Sequence, residues 1–277
     1  MTSDEAGWVV TNRANWDERV AIHLADRTGA YGVARFLAGE ETLHAIEAAE
    51  LPDLRGLRVS HLQCHFGLDS LNLARRGARV TGLDYSAPAI AAARELATRA
   101  DLDVRFVEGP VERAPALIGA PADLVYVTWG AINWLPDLHL WARAVADCLV
   151  PGGRLYLAEG HPAVLALEEV DGRLVATYDV PTPCDSPLTF DEATTYTGDA
   201  TEIVNRRTFE WIHGFDRLFG ALIAAGLRVD WFREHDRLVW RLFPMMVSDD
   251  DRHYQLPPGQ PRVPLAFSLM ATKRPDA

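Results

Sequence analysis

Gly56-Leu57-Arg58-Val59-Ser60-His61-Leu62-Gln63-Cys64-His65-Phe66-Gly67-Leu68-Asp69-Ser70-Leu71, followed by Ala78-Arg79-Val80-Thr81-Gly82-Leu83-Asp84-Tyr85-Ser86, decides the fold of this chain. The order is strand, tight turn, helix, second strand and terminal acid, a βαβ layout that holds an adenosine by its ribose hydroxyls. The turn is nearly empty of glycine. A dinucleotide requires G-x-G-x-x-G so that backbone amides can close on the pyrophosphate, but here only Gly67 occupies a glycine position, and Asp69 and Ser70 open the helix. A carboxylate at a helix N-terminus repels a pyrophosphate from the positive end of the dipole. The expected ligand therefore carries a ribose and no phosphate.

S-adenosylmethionine (SAM) meets that description. Asp84 is the residue for its ribose, because a carboxylate accepts from both vicinal hydroxyls. The competing role for Asp84, a helix cap, is already supplied by Ser86 ahead of a helix predicted over 87–100, with Pro88 tolerated in its first turn.

On these residues the chain resembles the class I SAM-dependent methyltransferases. More narrowly, it is similar to a bacterial group of small-molecule type whose turn reads H-L-Q-C-x-F-G in place of the usual D/E-x-G-x-G-x-G. The matching stretches also include Asn12-Arg13-Ala14-Asn15-Trp16-Asp17-Glu18-Arg19, Trp129-Gly130-Ala131-Ile132-Asn133-Trp134-Leu135-Pro136-Asp137, Pro151-Gly152-Gly153-Arg154 and Glu159-Gly160-His161-Pro162. The resemblance implies a doubly wound, Rossmann-like α/β fold with a seven-stranded, mostly parallel sheet. It also implies SAM as cofactor, with S-adenosylhomocysteine as product, and is nearly silent about the methyl acceptor.

Composition sets outer limits. With 277 residues, 48% hydrophobic and 24% charged, the chain can bury one full α/β core. A net charge of −12 argues against nucleic acid as partner, since such binding draws on Lys and Arg meeting phosphates. Cys64, Cys148 and Cys184 are odd in number and far apart, matching neither a disulfide framework nor a metal spacing and suiting a reducing cytoplasm. No apolar run approaches membrane-spanning length. A homodimer stays open.

Along the chain, residues 1–50 read as a helical cap, with helices over 15–25 and 41–49 and a break at Gly29 and Gly32. Residues 51–162 alternate strand and helix as the SAM-binding core: strands over 58–62, 79–83, 104–108, 123–128 and 154–159, helices over 68–76, 87–100 and 138–149. Alternation fails over 163–210, a stretch rich in Thr, Asp and Pro that is expected to be an inserted β-hairpin lid. Residues 211–277 carry an amphipathic helix over 215–225 and strands over 227–233 and 265–272. The resemblance makes these two strands the antiparallel edge of the sheet.

Ligands of open α/β sheets sit at the carboxyl ends of the strands where strand order reverses, which brings together the Gln63–Gly67 turn, the Asp84-Tyr85 end and the Thr128–Trp134 end. By family similarity Gln63, Cys64, His65 and Gly67 contact methionine and ribose, largely through backbone. Gly67 is expected to admit close backbone approach, and His65 to be a packed or hydrogen-bonded wall. The adenine contact departs from the family pattern, since proline stands at 110; Val111 and Glu112 are the substitutes, against a solvent-facing Glu112. Tyr85, Thr128, Trp129 and Gly130 complete the expected cofactor set, and Trp16 and Trp134 the acceptor side. Aromatic faces receive a sulfonium at roughly 0.5–2 kcal/mol each, although tryptophan is also the commonest large core residue. Arg13 is placed either on the cofactor carboxylate or on the surface. His161, at the end of a strand facing the cofactor, is the candidate catalytic base and acceptor contact, with a plain turn histidine before Pro162 as the competing reading. Nothing in the sequence brings His23, His213 or His253 to the site.

The expected reaction is methyl transfer to a small organic acceptor, oxygen or nitrogen first, by in-line displacement. Its competitors are a macromolecular methyltransferase and a SAM-fold enzyme that does not methylate.

Overall fold

In the computed structural model, which describes residues 3–249 and 252–275, the cap comprises α1 (Ser3–Ala25), α2 (Val33–Leu37) and α3 (Ala45–Glu50). The core runs β1 (Arg58–Leu62), α4 (Leu68–Arg75), β2 (Arg79–Asp84), α5 (Ala87–Arg99), β3 (Arg105–Glu108), α6 (Ala114–Ile118), β4 (Ala122–Thr128), α7 (Leu138–Asp147) and β5 (Leu149–Gly160). Then come α8 (Pro162–Leu165), β6 (Leu167–Val170), β7 (Arg173–Ala176), β8 (Leu188–Asp191), β9 (Arg207–Glu210), α9 (Phe215–Ala224), β10 (Leu227–His235), β11 (Val247–Ser248), β12 (Tyr254–Gln255) and β13 (Ala266–Lys273).

The seven-stranded sheet has the order β10-β13-β5-β4-β1-β2-β3. β1 pairs in parallel with both β2 and β4, so the strand order reverses at β1 and its carboxyl end opens into the crevice. β13 alone is antiparallel to its neighbours, β5 on one side and β10 on the other, which is the reversed strand expected of the edge. Strands buried on both faces need near-continuous apolar runs, and β4 supplies one: Leu124, Val125, Tyr126 and Val127 are at most 1% exposed. Ser86 caps α5, accepting from the Ala89 amide at 3.2 Å, with Pro88 inside the first turn.

The stretch 163–210 differs from expectation: it holds two hairpins, not one. β7 pairs back onto β6, and β9 onto β8. The first hairpin closes through Asp171-Gly172, both at positive φ (50° and 71°), the signature of a two-residue primed turn.

α1 is also longer than the 15–25 expected, and it docks on the second hairpin through Asn12 and Glu18. Asn12 exchanges hydrogen bonds with the Phe209 backbone, giving Nδ2 to its oxygen and accepting from its amide, both at 2.8 Å. The Glu18 carboxylate accepts from the Val204 and Asn205 amides at 2.7 and 2.9 Å. Cap and insertion thus form one roof over the sheet's carboxyl edge. Among the described residues no helix is long and apolar enough to cross a membrane.

Candidate functional site

Beneath that roof lies a cavity of about 1270 Å³, whose lining includes Asp84, Tyr85 and Glu112 from the core and Phe190, Trp211 and Trp240 from later in the chain. Pockets for one drug-sized ligand run to roughly 300–1000 Å³, so this one has room for a cofactor and an acceptor together.

Asp84 closes β2 and is 7% exposed. Its Oδ2 accepts from the His65 amide at 2.8 Å and its Oδ1 from the Ser86 amide at 2.9 Å. A carboxylate has about four lone-pair sites. Two are therefore committed to orienting the group, and two remain for vicinal hydroxyls. Burial pushes the Asp84 carboxyl up to about 6, against the pull of the Ser86 and His65 amides, so it is still mostly ionised at neutral pH.

The turn after β1 is held in sparsely populated backbone. Gln63 (φ 58°) and His65 (φ 51°) lie in the left-handed region, as does Trp129 (φ 54°) at the end of β4. Left-handed φ costs a non-glycine residue roughly 1–2 kcal/mol. Three such residues on one cavity wall mark a site that the surrounding structure over-determines. Gln63 is pinned by its Nε2, which donates to the Ala131 carbonyl at 2.7 Å and ties the β1 turn to the β4 turn. Cys64 turns its side chain into the core beside Phe106 and contributes backbone to the site. Gly67 has a different role from the one expected. At φ 74° its missing Cβ would stand 2.5 Å from the Phe106 ring and 2.9 Å from the Ala93 Cβ. The glycine is demanded by packing behind the turn, not by ligand approach in front of it.

The β4 turn is built on Glu159. Its buried carboxylate accepts from the Gly130 amide at 2.6 Å, from Ala131 at 2.6 Å and from Ile132 at 3.0 Å. Burial raises this carboxyl, and the three amides oppose the rise. Trp129 and Gly130 are fixed from both sides, because the Trp129 Nε1 donates to Glu47 Oε1 at 3.1 Å. Glu47 also accepts from the His44 amide at 3.0 Å and is completely buried, with Oε2 unpartnered.

Burial, with Asp69 nearby, pushes the Glu47 carboxyl up to about 8 from an ordinary 4.5. The folded state then holds a proton that the unfolded state releases above pH 4.5, so this group's contribution to stability falls as pH rises from 4.5 through 8 and levels beyond. Glu47→Gln should therefore flatten the profile, the variant gaining on the parent by on the order of 2–5 kcal/mol between pH 5 and 9. Urea midpoints across that range test this; parallel profiles would show Glu47 is not the group.

On the cap side, Trp16 meets Trp134 edge-on at 5.3 Å and His65 at 5.2 Å, an aromatic wall over the β1 turn. Trp134 is held by Nε1 donating to the Gly130 carbonyl at 2.6 Å. His65 is the wall residue expected of it: Nε2 lies 2.9 Å from His23 Nδ1, and burial, then Arg19, lowers its imidazole to about 3. His23, unplaced by sequence, thus backs His65, and Tyr31 continues the chain at 3.1 Å from His23 Nδ1. Val111 is buried and Glu112 exposed at the cavity mouth beyond Pro110, while Thr128 lines the floor.

Two expected residues are not brought to the cavity. Arg13 lies outside the lining, paired with Glu108 at 3.0 Å on the surface. Six residues on, Arg19 lines the cavity instead and is 6% exposed. The spacing Asn12, Trp16, Arg19, His23 places all four on one helix face, a signal the sequence carried.

His161 also lies outside the lining. Its Nδ1 accepts from the Ala163 amide at 3.2 Å as the cap of α8, its Nε2 meets Glu234 Oε1 at 3.1 Å, and its ring stands edge-on to Phe215. Both nitrogens are occupied away from the cofactor end, which corrects the expectation of a catalytic base and acceptor contact. His161→Ala is expected to lower stability by about 1–2 kcal/mol, the value of a lost cap and ring contact. Turnover should stay within about threefold. A loss of about a hundredfold, the size of a removed general base, would reinstate it.

Residues 59–153 match a family model described as a methyltransferase domain. Among curated proteins the chain is 31% identical over 145 residues to a ubiquinone biosynthesis O-methyltransferase of Xanthomonas oryzae pv. oryzae, a span of 50% of this chain and 60% of that protein. A second of the same description, from Cronobacter sakazakii, is 31% identical over 105 residues, 38% of this chain and 43% of that one. The chain thus spans about three fifths or less of the curated relatives it matches. A SAM-dependent methyltransferase from Mesorhizobium loti superposes at a TM-score of 0.57 with 21% identity, covering 85% of this chain and 99% of that one. Another, from Clostridium acetobutylicum, gives 0.55 with 12% identity over 92% and 97%. The fold is that of these methyltransferases.

SAM, the cofactor named for both solved structures, fits the residues present. Asp84 keeps two acceptor sites for a ribose, the aromatic wall suits a sulfonium, and Arg19 offers a cation to a carboxylate.

Proposed function

We propose that the protein transfers the methyl group of SAM to a small organic acceptor held in the same cavity, with an oxygen atom as acceptor. The observation that carries this reading is Asp84, pinned by two amides at the carboxyl end of β2 and opening into a cavity large enough for both molecules. The oxygen preference is supported by the O-methyltransferase relatives, which match at most half of the chain.

When bound, the cofactor supplies an electrophilic methyl on a cationic sulfur. The chain's own part is positional. Asp84 orients the ribose; Gln63, Glu159 and Glu47 lock the β1 and β4 turns to each other and to the cap; Trp16, Trp134 and His65 wall the site from water. Holding two reactants near and aligned is worth up to roughly 7–11 kcal/mol of barrier, which is the main demand of an in-line displacement. An acceptor hydroxyl must also lose a proton. Glu210 lines the lid side, and burial raises its carboxyl against hydrogen bonds from Thr208 and Asn133 at 3.1 Å each, so it is the carboxylate we assign to receive that proton.

The acidic chain and roofed cavity favour a small acceptor over nucleic acid. The test is incubation with methyl-labelled SAM and a panel of phenols, hydroxy acids, amines and thiols, with products separated by size. Label on hydroxyl compounds of low mass supports the reading. Label on amines or thiols alone removes the oxygen preference, label on macromolecules removes the substrate class, and binding of SAM without transfer to anything removes the reaction.

A further inference from the structure

A ligand the size of SAM has to cross the roof, and the hydrogen bonds identify the part of the roof that is held least firmly. β8 and β9 are joined by 192–206, a loop without helix or strand. Irregular loops longer than about 12–15 residues are uncommon in compact domains except where they cover or bind a ligand. The root of this loop is fixed. The Ile203 amide donates to the Ala193 carbonyl at 2.9 Å, and Ile203 is buried. Asn15 Nδ2 donates to the Asn205 carbonyl at 2.5 Å, and Glu18 accepts from the Val204 and Asn205 amides.

Between those anchors, 194–202 is held differently. Among the described residues no backbone–backbone hydrogen bond joins it to the cap or the sheet. It is folded on itself, Asp199 Oδ1 accepting from the Thr201 amide at 2.8 Å and from the Thr201 hydroxyl at 2.6 Å. Its bonds to the cap run through side chains. The Tyr196 hydroxyl bonds to that of Tyr31, and its ring meets His23 edge-on at 5.2 Å. Arg27 donates to Thr201 Oγ1 at 2.8 Å and faces Asp199 Oδ2 at 3.4 Å. Thr194, Thr195, Tyr196 and Thr197 all line the cavity, as Tyr31 does from the cap. A segment fixed at its root and held at its tip by side chains opens locally more readily than a strand-paired element.

We propose that 194–202 is the gate of the cavity, hinged at Ala193 and Ile203 and latched by Tyr196 on Tyr31 and by Arg27 on Asp199 and Thr201, and that it opens to admit SAM and to release S-adenosylhomocysteine. This rests on the methyltransferase reading. A latch acts on rates and not on affinity. Its bonds are made in the closed state with or without ligand, so removing them raises the open population in both cases, and entry and exit quicken together. A side chain whose role was to touch the cofactor would instead change release and affinity, with little effect on entry.

The test follows binding and release of S-adenosylhomocysteine by stopped-flow fluorescence in wild type, Tyr196→Phe, Arg27→Ala and the double variant. Arg27 lies outside the cavity lining, which separates its latch contacts from ligand contacts. Each single variant should raise both rate constants by about two- to tenfold, the factor of one lost hydrogen bond, with Kd held within about twofold. The double variant should be faster than either. Faster release with unchanged entry, or unchanged rates in all three variants, overturns the gate and leaves the methyltransferase reading standing.

Hydrogen exchange of the wild type gives an independent arm. Amides of 194–202 should exchange faster than those of β8 and β9 in the ligand-free protein and slow by at least about fivefold with S-adenosylhomocysteine bound. Exchange in 194–202 that is indifferent to S-adenosylhomocysteine overturns the gate. Failure of wild type to bind S-adenosylhomocysteine at all overturns the methyltransferase reading itself.

Discussion

Glu159→Ala should lower the stability of the folded protein by about 3–5 kcal/mol and abolish methyl transfer. A charged hydrogen bond contributes about 1.5–3 kcal/mol, and a buried donor left without its acceptor costs about 1–3 kcal/mol more. Three adjacent amides lose their acceptor at once, in a carboxylate that is 4% exposed. The Trp129 backbone, held at φ 54°, relaxes when its neighbours are released, so the turn would no longer present Gly130 and Trp134 to the cavity. Glu159→Gln keeps one acceptor oxygen but turns a donor toward the amides, and should fall between parent and alanine. Guanidinium unfolding of the three proteins decides it. A loss under about 1 kcal/mol for alanine would mean that the amides find other partners, and that the turn is not built on this residue.

Asp84→Ala is expected to weaken SAM binding by about a hundredfold or more, the value of two charge-assisted hydrogen bonds to the ribose. Part of the loss is indirect, because the His65 amide would also lose the acceptor that fixes the turn. Calorimetry separates the two contributions with a 2′,3′-dideoxyribose analogue. Wild type should lose affinity for the analogue, and the variant should bind both forms alike. The wild-type affinity also has a predicted pH dependence. With its carboxyl raised to about 6 by burial, Asp84 gains a proton as pH falls through 6, an acceptor becomes a donor, and SAM binding weakens on the acid side. Affinity within twofold of wild type for Asp84→Ala would remove SAM from the site.

The core was legible because local signals agree with one another. The apolar run of β4, the acid at the end of β2 and the Ser86 cap each fix one boundary, and alternation of strand and helix leaves few topologies. The insertion was misread for an equally local reason. Asp171-Gly172 is a strong two-residue hairpin signal, but the short strands it joins are half-exposed and carry little apolar alternation. The stretch 239–254, whose Trp240 and Phe243 close the cavity, lacks any period and gave no sign of its place.

By itself, the sequence determined the doubly wound sheet, the carboxyl-edge crevice and the acid that closes β2, because these follow from hydrophobic period, turn chemistry and the βαβ handedness, all read over a few neighbouring residues. Only the tertiary structure left Arg13 on the surface and put Arg19 in the cavity lining, turned His161 away from the cavity, gave Gly67 its reason in Phe106 and made Glu159 the anchor of the β4 turn. Each of those outcomes depends on which side chain meets which across long sequence separations. That is settled by packing and by the satisfaction of buried polar groups, and no local pattern along the chain encodes it.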